Sequence, residues 1–217
     1  MKSNYDPVAN HYDWLSKIIF RKNLILAQTC LLQHIPPKSN ILIVGGGTGW
    51  ILSALTKTYP SGLNITYVEM SEKMIHLAKM HNSGNNQVHF VHKAIEDYST
   101  DQTFDIILTA FLFDNFMENK VRLVFNKLAL LLNKNGKWLF ADFHTDNEKR
   151  HWWQRSLVKA MYHFFRVVCH IEANQLVPVK ILFERNDFRD MYSYERMYGL
   201  IRSAVYVRIP YQYDLNS

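Results

Sequence analysis

Five consecutive residues, Gly45-Gly46-Gly47-Thr48-Gly49, offer little side chain and much backbone. Such a stretch suits one kind of chemistry: a ligand can lie against main chain where no Cβ intervenes. The apolar run Ile41-Leu42-Ile43-Val44 precedes it, and Ile51-Leu52-Ser53-Ala54-Leu55 follows it. The first run predicts a buried parallel strand and the second a helix. A glycine turn between them sets the ligand at the positive end of the helix dipole. After a second predicted strand, Ile65-Thr66-Tyr67-Val68, comes an acid, Glu69. A carboxylate in that place can accept hydrogen bonds from the two hydroxyls of a ribose. The expectation is a nucleoside site across residues 45–49 and Glu69.

The glycine spacing separates two cofactor classes. A dinucleotide fingerprint, G-x-G-x-x-G, needs its third glycine for close packing of helix on strand. Gly45 and Gly47 fit its first two positions, but the third falls on Trp50, whose indole would hold the helix away from the sheet. The pattern present is G-x-G-x-G. A phosphate-cradling G-x-x-x-x-G-K-[ST] loop is absent. An NAD-type Rossmann oxidoreductase is therefore the disfavoured alternative.

These residues resemble the class I S-adenosylmethionine-dependent methyltransferases over about the first two-thirds of the chain. Gly45, Gly46, Gly47, Thr48 and Gly49 resemble that family's first motif, which lies under the methionine part of the cofactor. Glu69-Met70-Ser71-Glu72-Lys73-Met74 is similar to its D/E-x-S-x-x-M segment, implying ribose binding by Glu69, with Met70 and Met74 flanking adenine. Val88-His89-Phe90-Val91 and then Ala94-Ile95-Glu96-Asp97 resemble the third strand and the turn beneath adenine, implying contacts from Ala94 and the Ile95 N–H. Phe104-Asp105-Ile106-Ile107-Leu108-Thr109-Ala110-Phe111 resembles the fourth strand, placing Thr109 and Ala110 beside the reactive methyl. Leu130-Leu131-Leu132-Asn133-Lys134-Asn135-Gly136-Lys137 resembles the turn before the fifth. The opening Tyr5-Asp6-Pro7-Val8-Ala9-Asn10-His11-Tyr12-Asp13 is similar to ubiquinone and menaquinone biosynthesis methyltransferases, in which the second Tyr-Asp pair closes over the cofactor. Two positions depart from the family pattern. Ile43 stands where an acid often precedes the first glycine, and Ala94 where an acid often binds the adenine amino group, leaving Glu96 or Asp97 as substitutes. The departures keep a third alternative open, a non-catalytic relative serving as a partner subunit.

The implied reaction moves a methyl from a sulfonium by in-line displacement. Holding nucleophile and methyl in line supplies much of the rate, and a base helps when the nucleophile is a hydroxyl or protonated amine. The candidates at the strand ends are His144, Asp114 and Asp142, with His11 and Tyr12 on the presumed lid. His144 suits proton transfer near neutral pH; Tyr12 is counted with both the catalytic and the cofactor residues. Phe111, Phe113 and Phe116, with Trp152, Trp153, Tyr162 and Phe165, offer an apolar or aromatic lining for a small acceptor, a quinone-like ring being one case. No Asn-Pro-Pro-Tyr type sequence follows the fourth strand. No H-E-x-x-H or C-x-x-C spacing occurs, so no metal is expected.

Alternating strand and helix signals predict an α/β fold: a Rossmann-like three-layer α/β/α sandwich. Its seven-stranded sheet is mostly parallel and ends in an antiparallel C-terminal hairpin. Strands are expected at 41–44, 65–68, 88–92, 104–110, 137–143, 191–197 and 200–209. Helices are expected at 51–58, 73–80, 120–132, 147–172 and 177–184. The 217 residues are expected to form one domain: a helical lid at 1–36, a cofactor-binding core at 37–145, then the long helix and last strands at 146–217. The formal charge is +6. Lys and Arg are interleaved with acids, which favours a solvated surface over a nucleic-acid face and leaves peripheral membrane contact open. No apolar run approaches the ~18 residues of a membrane span. With no signal peptide in evidence, and Cys30 and Cys169 expected as buried free thiols, the cytoplasm is the expected compartment.

Overall fold

The computed structural model describes residues 22–143, 178–197 and 199–209. The expected long helix, Tyr12, His144, Cys169 and the Trp152–Phe165 aromatics lie outside the described residues.

The chain runs α1 (Lys22–Leu32), β1 (Asn40–Val44), α2 (Trp50–Thr58), β2 (Ser61–Glu69), α3 (Glu72–Lys79), β3 (Asn85–His92) and β4 (Phe104–Ala110). A 3-10 turn, Phe113–Asn115, follows, then α4 (Glu118–Leu131), β5 (Leu132–Phe143), α5 (Val179–Arg185), β6 (Phe188–Arg196) and β7 (Ile201–Arg208). The sheet order is β3-β2-β1-β4-β5-β7-β6. The pairs from β3 through to β5 are parallel, whereas β7 is antiparallel to both β5 and β6. The order reverses at β1, between β2 and β4, and an α/β sheet opens a crevice at the carboxyl ends of the strands there.

Strand alternation divides the core into two layers. Ile41 and Ile43 face one side with Tyr67, Leu108 and Val205, covered by apolar residues of α1, α2 and α3. Leu42 and Val44 face the other with Trp138, Phe140 and Tyr206, covered by α4 and α5. Helix α4 manages this with Val121, Val124, Phe125 and Leu128, which recur at helical spacing on one buried face. Trp138, Phe125 and Phe183 form its centre, with ring centroids 4.8 to 5.1 Å apart. The indole N–H of Trp138 is satisfied by Thr109 Oγ1 at 2.9 Å.

Several boundaries differ from the sequence reading, among them the starts of β2, β5 and β6. Strand β2 begins four residues before the expected Ile65, at Ser61 within Pro60-Ser61-Gly62, residue types that favour a turn, and the irregularity appears as a register shift between Ser61 and Asn64. Strand β5 begins at Leu132, and Asn135-Gly136 falls inside a bulge between the Phe104–Leu132 and Ile106–Lys137 pairings. In both cases turn residues are absorbed as strand irregularities because pairing resumes on either side. Strand β6 starts at Phe188, three residues earlier than expected, because β7 offers partners that far. Cys30 is half-buried, its thiol donating to the Ala27 carbonyl at 3.4 Å.

Candidate functional site

The turn after β1 and the acid ending β2 meet at the crevice. The Gly45 N–H donates to the Val68 carbonyl at 2.9 Å, tying the turn to β2. Glu69 is 6% exposed. Its Oε2 accepts the Gly47 N–H at 3.1 Å and its Oε1 the Ser71 N–H at 2.9 Å. Burial pushes the Glu69 carboxyl above its ordinary range, against the downward pull of backbone N–H groups at Ser71, Gly47 and Met70 and of His92. Each carboxylate oxygen offers about two lone pairs, so these two bonds leave acceptor capacity toward the cleft. Ser71 caps α3 by accepting the Met74 N–H at 3.2 Å, which fixes the turn that carries Met74 to the cleft wall.

The cleft holds about 690 Å³ of empty space, counted to its open mouth. Gly45, Gly47 and Glu69 form one side; Met70, Met74, Ala94 and Ile95 form another. Phe111, Leu112, Asn115 and Phe116 line it from the segment after β4, and Lys93, Glu96 and Lys120 complete the lining. A smaller pocket adjoins it across the glycine turn, lined by Gln28, Gly46, Thr48, Trp50, Ala110 and Phe111. Lys120 Nζ lies 2.6 Å from Glu96 Oε1 and 5.0 Å from the Phe116 ring centroid. The Glu96 carboxylate is thus already paired.

The β4 wall is held by a second acid. Asp142, buried near the end of β5, accepts the Phe113 N–H at 3.0 Å with Oδ2 and the Phe143 N–H at 2.8 Å with Oδ1. It anchors the start of the 3-10 turn, from which Asn115 faces the cleft. Phe111, just before, has φ +53°, a costly backbone for a bulky residue. Its N–H donates to the Ala141 carbonyl at 2.7 Å and its carbonyl accepts from Asn115 Nδ2 at 2.8 Å. Burial pushes the Asp114 carboxyl up to about 7. Asp142 is also raised well above the ordinary carboxylate range, first by burial and then by the charge of Asp114.

A family model described as a methyltransferase domain matches residues 41–136, the span from β1 to the start of β5's second pairing. The chain is 31% identical over 143 residues to malonyl-[acyl-carrier protein] O-methyltransferase 1 of Ilyobacter polytropus, covering 66% of this chain and 52% of that one. It is 33% identical over 103 residues to malonyl-[acyl-carrier protein] O-methyltransferase of Priestia megaterium, covering 48% and 36%. Over residues 41–136 the chain is similar to S-adenosylmethionine-dependent methyltransferases. It spans about half of the first of these relatives and a third of the second. Among solved structures, the complex of N-methyltransferase NodS of Bradyrhizobium japonicum with S-adenosylhomocysteine matches with TM-score 0.65 at 15% identity, covering 94% and 95% of the two chains. The DhpI complex with the same product matches with TM-score 0.67 at 14% identity, covering 94% and 93%. At such identities the likeness establishes the fold.

Within this methyltransferase fold the sequence-derived candidates separate. Gly45, Gly47, Glu69, Met70, Met74, Ala94 and Ile95 meet in the cleft, and Gly46, Thr48 and Ala110 in the adjoining pocket. Gly49 and Thr109 line neither. Gly49, at φ +87°, lets the turn press on α3: a Cβ there would fall 2.5 Å from Ala78 Cα. The Thr109 hydroxyl is turned into the core, toward Trp138. Asp114 lies on the 3-10 turn and outside the lining, its Oδ1 accepting from Asn115 Nδ2 at 2.8 Å. Phe111 and Phe116 face the cleft, whereas Phe113 is 1% exposed and packs on Trp138 and Phe140. Asp105 sits at the opposite end of the sheet, where Oδ2 accepts the Asn40 N–H at 2.9 Å. Sequence reasoning missed Gln28, Asn115, Lys93 and Lys120. None lies in a recognisable motif; each reaches the site through tertiary packing alone.

Proposed function

We propose that this protein transfers a methyl group from S-adenosylmethionine to a small acceptor that is apolar or aromatic where it meets Phe111 and Phe116. The observation that carries the reading is the buried Glu69 carboxylate, facing an open cleft beside a turn whose first three residues, Gly45, Gly46 and Gly47, carry no Cβ. In this reading Glu69 accepts the ribose hydroxyls. Met70, Met74 and Ala94 pack on adenine, and the Ile95 N–H meets its edge. The turn at Gly45, Gly46, Gly47 and Thr48 holds the amino-acid end. Bound there, the cofactor supplies an electrophilic methyl on a sulfonium. The chain orients an acceptor along the line of displacement and excludes water with the Phe111 and Phe116 rings. Among the sequence-derived catalytic candidates, His144 and Tyr12 keep their proposed roles as base and lid. Asp114 we reassign to supporting the β4 wall, since it does not line the cleft.

Calorimetry with S-adenosylhomocysteine and with NAD tests the cofactor assignment. Binding of the first alone supports it; binding of NAD alone overturns it. The similarity to malonyl-[acyl-carrier protein] O-methyltransferases favours a second reading of the acceptor, a carboxylate on a carrier-bound acyl chain. Labelled methyl transferred to a panel of acceptors separates the two. A methyl ester releases labelled methanol in mild alkali, whereas an ether or a C-methyl product keeps its label.

A further inference from the structure

Gly47 is the point at which the glycine turn is held. Its N–H donates to Glu69 Oε2 at 3.1 Å, and its carbonyl accepts the Tyr67 hydroxyl at 2.9 Å. Tyr67 and Glu69 lie two residues apart on β2 and so share a face of the strand. One strand therefore grips both main-chain polar groups of one glycine in its neighbour's turn. Tyr67 is fully buried, and its ring lies directly against Gly46, where a Cβ would fall 2.4 Å from Tyr67 Cζ. Register puts it there: Tyr67 pairs with Ile43, a side chain with no polar atom to offer the turn.

We propose that Tyr67 is a positioning residue for the amino-acid end of the cofactor, an inference that rests on the methyltransferase reading above. Gly45, Gly47 and Gly49 all have positive φ, and glycines reach many other conformations at little cost. The phenol hydroxyl removes that freedom at Gly47, as the Tyr67 ring supports Gly46 from below. A turn held ready in its binding shape loses less entropy when ligand arrives. Ring and hydroxyl do separable work, and Tyr67→Phe keeps the first while cutting the second.

The test compares two probes by calorimetry. S-adenosylhomocysteine reaches across the turn; 5′-methylthioadenosine has the same nucleoside and sulfur but no amino-acid end. Tyr67→Phe is expected to weaken the first about tenfold and to leave the second within about twofold. Equal loss for both probes, the signature of a generally loosened site, overturns the proposal, as does unchanged affinity for S-adenosylhomocysteine. Wild-type protein that binds neither probe sinks the cofactor assignment itself and the tyrosine's role with it. Should Tyr67→Phe fail to fold, Tyr67→Met provides the same comparison, because it also lacks the hydroxyl and its flexible side chain adapts to the gap.

Discussion

Glu69 illustrates how one side chain serves folding and binding together. Its carboxylate accepts backbone N–H groups of the glycine turn and of the turn before α3. Glu69→Ala is expected to weaken S-adenosylhomocysteine binding by about 1–3 kcal/mol, measured by calorimetry, since charge-assisted bonds of this kind are among the stronger ones. Unchanged affinity would remove Glu69 from the ribose. The Asp114 and Asp142 carboxyls lead to a pH prediction. Asp114 is raised from an ordinary value near 3.8 to about 7. A raised carboxyl binds its proton more tightly in the folded chain. Its contribution to stability is therefore full below about pH 4 and lost as pH rises through about 7. Asp114→Asn removes that loss. Its unfolding free energy in urea, taken relative to wild type, should shift in the variant's favour between pH 4.5 and pH 8, by on the order of 1–3 kcal/mol. A pH-independent difference between the two proteins would show that Asp114 titrates normally.

Among the elements, the glycine turn was the most legible feature in the sequence. Its strand-turn-helix order is local, so spacing alone located β1, α2 and Glu69. The roles within it were less legible. Gly49 has the same residue type as Gly45 and Gly47, yet its task is the contact with Ala78 on α3. Gly49→Ala is expected to destabilise the fold by about 2–4 kcal/mol, because it adds both left-handed strain and a clash with helix backbone. A loss of unfolding free energy of less than about 0.5 kcal/mol would show that α3 can move aside. Strand ends were read less well than strand centres. The β5 bulge and the early start of β2 depend on what the neighbouring strand offers, and no single segment contains that information. Residues such as Gln28 and Lys120 escaped for the same reason.

For the molecule as a whole, the α4–α5 layer is an aromatic assembly around Trp138. Phe183 stacks on Tyr206 at 3.7 Å and meets Phe125 and Trp138 edge-on. Phe183→Ala is expected to cost about 3–5 kcal/mol in chemical denaturation, the range for emptying an aromatic core site. Retention of the wild-type midpoint would show that α5 contributes little to the core. The opposite layer leads elsewhere. Because Gly47 is fastened by two side chains of the adjacent strand, the ligand seat does not exist until β1 and β2 have zipped in register. Occupancy by a nucleoside probe would thus act as a gauge of completed assembly: a chain with misaligned strands would be blind to the probe, however much helix it had formed.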